Sequence, residues 1–167
     1  MAAIRRCRSQ ISRIRTPSSG GCWRCTRRCR FLPALAATYR LFLAALIDRP
    51  GASMVHCYAG KDRTGIAVAL VHALTGVHRD DMMADYLRSN DPALIERRIA
   101  AEGPATRAAR GPRSDAALRR MFSVAPARLE AGLGAMVARH GSVEGYARDQ
   151  LGMTPARITA LRAALTA

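Results

Sequence analysis

His56-Cys57-Tyr58-Ala59-Gly60-Lys61-Asp62-Arg63-Thr64-Gly65 sets a cysteine and an arginine six positions apart at the junction of two differently patterned segments. Ahead of it, Ser53-Met54-Val55-His56 reads as a short strand. Behind it, residues 64–74 form an almost wholly apolar run that stops at Gly76, the pattern of a buried helix. A loop between a strand and a helix has a specific electrostatic character. Five residues between Cys57 and Arg63 can curl so that their backbone N–H groups converge on one tetrahedral anion, and the positive end of the following helix adds to that field. A cysteine at the centre of such a cradle is stabilised as the thiolate, the nucleophilic form. Arg63 supplies a planar fork suited to two phosphate oxygens, which a lysine cannot match. Gly60 permits a turn closed to other residues, Gly65 lets the helix approach a neighbour closely, and Thr64 is placed to donate to the thiolate. His56 is expected to hold the loop by hydrogen bonding.

Outside this segment the chain is helical in pattern. Leu35, Tyr39, Phe42, Leu43 and Leu46 recur at helical spacing until Asp48-Arg49-Pro50-Gly51. Further helices are expected over residues 79–88, 92–101, 115–122, 126–139, 143–150 and 155–165. Asp91-Pro92 and Thr154-Pro155 each place a capping oxygen before a proline at the first helical position. Residues 103–114, with two prolines and three arginines, are expected to form a mobile loop. His72 is expected to be a satisfied core histidine, and His78 and His140 to be solvated at helix ends. Asp80 and Asp81 read as first-turn acids. Asp85 and Tyr86 read as helix packing with a supporting place near the cradle, and Met82, Met83 and Met136 as core.

The 167 residues fit one domain, and 49% hydrophobic content is enough for a core. The net charge of +15 is uneven: residues 1–30 hold nine arginines and no acid, and the other 137 residues carry 18 basic against 12 acidic side chains. No aromatic-interleaved basic patch accompanies the charge, which argues against specific nucleic-acid binding. Four of the five cysteines, Cys7, Cys22, Cys25 and Cys29, fall in that first stretch, which lacks periodicity and is expected to be a disordered leader. Their spacing lacks a fourth metal ligand, so neither a metal nor another cofactor is expected. No signal-peptide pattern or membrane-length apolar run is present, which favours a reducing cytoplasm.

The ten-residue segment resembles the Cys-x5-Arg-Ser/Thr signature of the protein tyrosine phosphatase superfamily. Gly60-Lys61-Asp62-Arg63-Thr64-Gly65, Ala84-Asp85-Tyr86-Leu87-Arg88-Ser89-Asn90, and Gly141-Ser142-Val143-Glu144-Gly145-Tyr146 with Leu151-Gly152-Met153 resemble its bacterial tyrosine/serine phosphatase branch. The resemblance implies an α/β fold, a sheet flanked by helices, helix-dominated in this chain. Relatives carry further strands ahead of the matched part, so the sheet is expected to be incomplete here, with residues 31–167 corresponding to the C-terminal part of the family domain. It also implies hydrolysis of phosphotyrosine through a phosphocysteine, with phosphoserine, phosphothreonine or phosphoinositide as further substrates. The implied catalytic set is Cys57, Asp62 and Arg63, with Asp62 as proton donor and Asp85 its competitor. Tyr58, Ala59, Gly60, Lys61, Asp62, Arg63 and Thr64 would surround the phosphate, Lys61 adding charge at the mouth. Secretion without a signal peptide is a further implication. The competing class is a catalytically silent fragment or anion-binding module that keeps the loop without the scaffold to use it.

Overall fold

In the computed structural model, residues 33–166 are described, so the expectations for the Arg- and Cys-rich segment 1–30 lie outside the described residues. Among the described residues eight α-helices follow one another: α1 Pro33–Asp48, α2 Asp62–Thr75, α3 Arg79–Leu87, α4 Pro92–Arg110, α5 Asp115–Phe122, α6 Pro126–His140, α7 Val143–Leu151 and α8 Pro155–Thr166, with a 3-10 turn at Arg88–Asn90 between α3 and α4. Helix α2 is central and packs on α3, α6, α7 and α8, while α1 closes the bundle against α7 and α8. Ala36, Tyr39 and Leu43 of α1 are buried against this layer, as are Ile66, Ala67, Ala69, Leu70 and Leu74 of α2. Burying a Leu or Ile side chain stabilises the fold by about 1.5–3 kcal/mol. The apolar run after the signature therefore contributes directly to the cohesion of the main cluster.

The helix boundaries have local causes. Asp91 accepts the Leu94 N–H at 3.1 Å and Thr154 accepts the Arg157 N–H at 3.3 Å, so both anticipated caps form. Ser114 and Ser142 cap α5 and α7 in the same manner. Helix α2 ends at Gly76, whose φ of +83° is left-handed and whose N–H turns back onto the last turn. Long-range polar ties fasten the closing helices. Arg40 reaches the Gln150 carbonyl through Nε and Nη2 at 2.9 and 2.6 Å, and Arg162 Nε reaches the Leu74 carbonyl at 2.7 Å.

Three expectations are corrected. The strand anticipated at Ser53-Met54-Val55-His56 does not form: residues 52–58 alternate in exposure with the period of a strand, and Val55 packs on the core, yet no strand occurs among the described residues. A ladder requires a second extended segment in the hydrogen-bonding direction, and the helices offer none. The loop anticipated at residues 103–114 is helical as far as Arg110. Gly103 is buried where a Cβ would sit 3.2 Å from Leu118 Cδ1, so the glycine allows α4 to close on α5, and this packing outweighs the breaker at Pro104. Arg107 then spans the connection to α5, donating to the Arg113 carbonyl and pairing with Asp115. The readings of His140 and His72 also change, whereas that of His78 holds. His140 is largely buried, pairs with Asp149 at 2.9 Å and meets the Tyr146 ring edge-on, whereas His72 buries Nδ1 without a hydrogen-bond partner. His78 is exposed and caps α3.

Two hydrophobic clusters result. The larger joins α1, α2, α3, α6, α7 and α8; the smaller is Ile95, Ile99, Leu118 and Phe122, with Met121 against it, between α4 and α5. The signature loop lies where these two clusters meet, as the contacts of its side chains show.

Candidate active site

The loop enters from the extended segment and leaves as the first turn of α2. Gly60 has φ +62°, a conformation that L side chains rarely adopt, and this bend turns the chain from Ala59 into Lys61. Cys57 is half-buried. Burial raises its pKa, but the Thr64 hydroxyl, the Thr64 and Lys61 backbone N–H groups and the Arg63 charge together bring it below the ordinary value of 9.0. Thr64 Oγ1 is itself buried and makes no hydrogen bond of ordinary geometry; its electrostatic effect falls on Cys57. The start of the helix thus places groups that favour the ionised form of Cys57.

Arg63 is fixed at its backbone. Its carbonyl accepts the hydroxyl of Tyr39 at 2.8 Å, a buried residue of α1 that ties the first helix to the loop. Gly65 has a steric cause. A Cβ there would lie 2.6 and 2.8 Å from Cε2 and Cδ2 of Tyr86, so the glycine lets α2 rest on that ring. The Tyr86 phenol is pushed up to about 12, first by burial and then by the nearby Asp62 charge against the opposing pull of Arg128, and it stays neutral. Tyr58 is 79% exposed at the rim. His56 is exposed, with Nδ1 3.3 Å from the Cys57 carbonyl.

Lys61 departs from the reading of it as a charge at the mouth. It is only 6% exposed, and its ammonium turns inward to donate to the carbonyls of Met121 and Ser123 at 2.5 and 2.9 Å. Burial pushes its pKa down, with Asp62 opposing and Arg128 and Arg98 reinforcing. The lysine thus fastens the loop to the end of α5, and its backbone N–H favours the Cys57 thiolate.

Two arginines that the sequence did not single out complete the surroundings. Arg98 of α4 donates to the Ala59 carbonyl, in the loop. Arg128, in the first turn of α6, sets Nη1 3.3 Å from Asp62 Oδ1. Neither could be found from spacing, because the pairs are 39 and 66 residues apart. Asp85, the competing acid, lines a small cavity of about 90 Å³ together with Gly60, Thr64, Gly65 and Tyr86. Among the described residues no three His, Cys, Asp or Glu side chains converge in a way that could hold a metal ion.

A cysteine and an arginine on a glycine-bent loop that opens a buried helix define a class, and the chain belongs to the tyrosine phosphatase family, whose sequence model matches residues 24–167. Over 58 residues, 35% of this chain and 20% of the relative, it is 50% identical to the triple specificity protein phosphatase PtpB of Mycobacterium tuberculosis. Over 112 residues, 63% of this chain and 37% of the relative, it is 37% identical to a protein of Cupriavidus necator named as a candidate tyrosine-protein phosphatase. The chain therefore spans well under half the length of these curated relatives. The family match begins within the stretch read as a leader. No helix among the described residues is long and apolar enough to cross a membrane.

Proposed function

We propose that the chain carries the catalytic loop of a cysteine-dependent phosphatase that hydrolyses phosphotyrosine through a phosphocysteine. The observation that supports this reading best is the environment of Cys57, whose thiolate is favoured by Thr64, Lys61 N–H and Arg63 despite burial. In the first step the Cys57 sulfur attacks phosphorus while the ester P–O bond breaks and the leaving oxygen takes a proton from Asp62. Arg63 spans two equatorial oxygens as charge redistributes, and the loop's N–H groups receive the third. In the second step water gives a proton to the Asp62 carboxylate and attacks phosphorus, the P–S bond breaks, and the Thr64 hydroxyl eases departure of the thiolate. Phosphoserine, phosphothreonine and phosphoinositide are the further substrates to compare, since the name of one relative states triple specificity. Residues 31–167 would form the catalytic domain, and residues 53–56 would supply a strand to its sheet.

A second reading, a silent anion-binding loop, is favoured by one feature: residues 52–58 have no strand partner among the described residues. Turnover of a small aryl phosphate separates the two. Wild-type protein should turn over, and Cys57→Ser should lose turnover while still binding vanadate, because the hydroxyl is a weaker nucleophile of similar shape. Vanadate binding without wild-type turnover would establish the silent module instead.

A further inference from the structure

Asp62 belongs to the implied machinery, but nothing in the sequence says what holds its carboxylate. We infer that Arg128 is a positioning residue for Asp62, acting from α6 through a single anchoring carbonyl that also fixes Lys61; the inference rests on the reading of Asp62 as the proton donor.

The geometry has three parts. The Asp62–Arg128 pair is 3.3 Å apart and mostly shielded, with side chains 30% and 16% exposed, unlike the open surface pairs elsewhere on the molecule. Arg128 Nη1 also lies 3.4 Å from the Ser123 carbonyl, the same oxygen that accepts Lys61 Nζ at 2.9 Å. Two consecutive loop residues, 61 and 62, are thus tied to one point, the first directly and the second through Arg128. That point is itself held. Asn90 donates to the Val124 carbonyl at 3.1 Å and accepts the Val124 N–H at 2.7 Å, fixing the short connection between α5 and α6. Ser123 adds a backbone bond to the Arg119 carbonyl at 2.9 Å.

Three charged or titratable groups act on Asp62 besides its sequence neighbour Arg63: Lys61 before it in sequence, Tyr86 from α3 and Arg128 from α6. Tyr86 is neutral and cannot fix a carboxylate by charge, and the Lys61 ammonium is already engaged with two carbonyls. Arg128 alone among these joins the carboxylate to a rigid element. Proton transfer is sensitive to placement, and an error of about 1 Å can cost about 10²-fold.

The test is a double-mutant cycle on the full chain with two substrates, phenyl phosphate, whose leaving group needs a proton, and p-nitrophenyl phosphate, whose leaving group needs it far less. Asp62→Asn should lower kcat/KM, which reports only the first step, by about 10²–10⁴ for phenyl phosphate and spare that of p-nitrophenyl phosphate. Arg128→Ala should show the same selectivity at a smaller size, about 10- to 100-fold on phenyl phosphate. Arg128→Lys should recover part of the loss, and adding Arg128→Ala to Asp62→Asn should cost nothing more. Equal losses on both substrates in Arg128→Ala, or additive losses in the double variant, would overturn the positioning role and leave Asp62 as the acid. No selectivity in Asp62→Asn would overturn both. Should Arg128→Ala prove unfolded by circular dichroism, Arg128→Lys carries the same comparison: selectivity supports the role, and a uniform loss removes it.

Discussion

Replacing Thr64 by valine tests how the loop ionises its cysteine. The substitution keeps the branched shape and removes one hydroxyl. That hydroxyl is buried, makes no hydrogen bond of ordinary geometry and is near enough to Cys57 to favour its thiolate, so its removal acts on the thiolate and on little else. A hydrogen bond to a charged group contributes about 1.5–3 kcal/mol. Cys57 is half-buried, so water replaces part of what the hydroxyl supplies, and the thiol is expected to ionise at higher pH. The sign also fixes a stability effect. The folded thiol ionises below its ordinary 9.0, so the ionised site contributes stability that is fully present above 9.0 and lost as pH falls through the folded value. Thr64→Val should narrow that window from below. The assay is the pH dependence of iodoacetamide alkylation read at the Cys57 peptide by mass spectrometry, which separates it from the four other cysteines. A midpoint that stays in place, or moves down, would refute the role of the hydroxyl; Thr64→Ser should restore the wild-type midpoint.

Two further substitutions probe the loop's supports. Gly65→Ala forces a methyl group to within 2.6 Å of the Tyr86 ring, where about 3.5–4.0 Å is normal, so despite a gain of about 1 kcal/mol in helix propensity the melting temperature should fall; an unchanged melt would mean that the ring yields freely. Lys61→Met should cost about 1–3 kcal/mol in chemical denaturation because the Met121 carbonyl loses its donor, with vanadate affinity less affected; unaltered stability with weakened vanadate binding would place the ammonium at the phosphate instead.

Much of the helical frame was legible, because periodicity, proline starts and capping oxygens at Asp91 and Thr154 act over a few residues. The candidate cradle was legible for the same reason: Cys57, Gly60, Arg63 and Thr64 are close in sequence and their geometry is local. What escaped was long-range. The direction of Lys61 depends on carbonyls 60 and 62 residues away, and the grip of Arg98 and Arg128 on elements that only tertiary packing brings near. Residues 103–110 misled because glycine and proline ordinarily break a helix, whereas here Gly103 is the small residue that close packing on Leu118 requires. Residues 53–56 carry the alternation of a strand, but alternation specifies only the shape of one segment, and a sheet needs a partner.

The two hydrophobic clusters meet across polar contacts: Lys61 on Met121 and Ser123, Arg98 on Ala59, Asn90 on Val124. Apolar surfaces tolerate sliding, whereas hydrogen bonds fix direction, so the signature loop acts as the keystone between two units that each cohere by burial. Under the proposed function, occupancy of the cradle and docking of the α4–α5 pair would be one linked equilibrium. An anion that ordered the loop would tighten its grip on α4 and α5, and by thermodynamic reciprocity a change that loosened α4 or α5 would weaken the anion to the same degree.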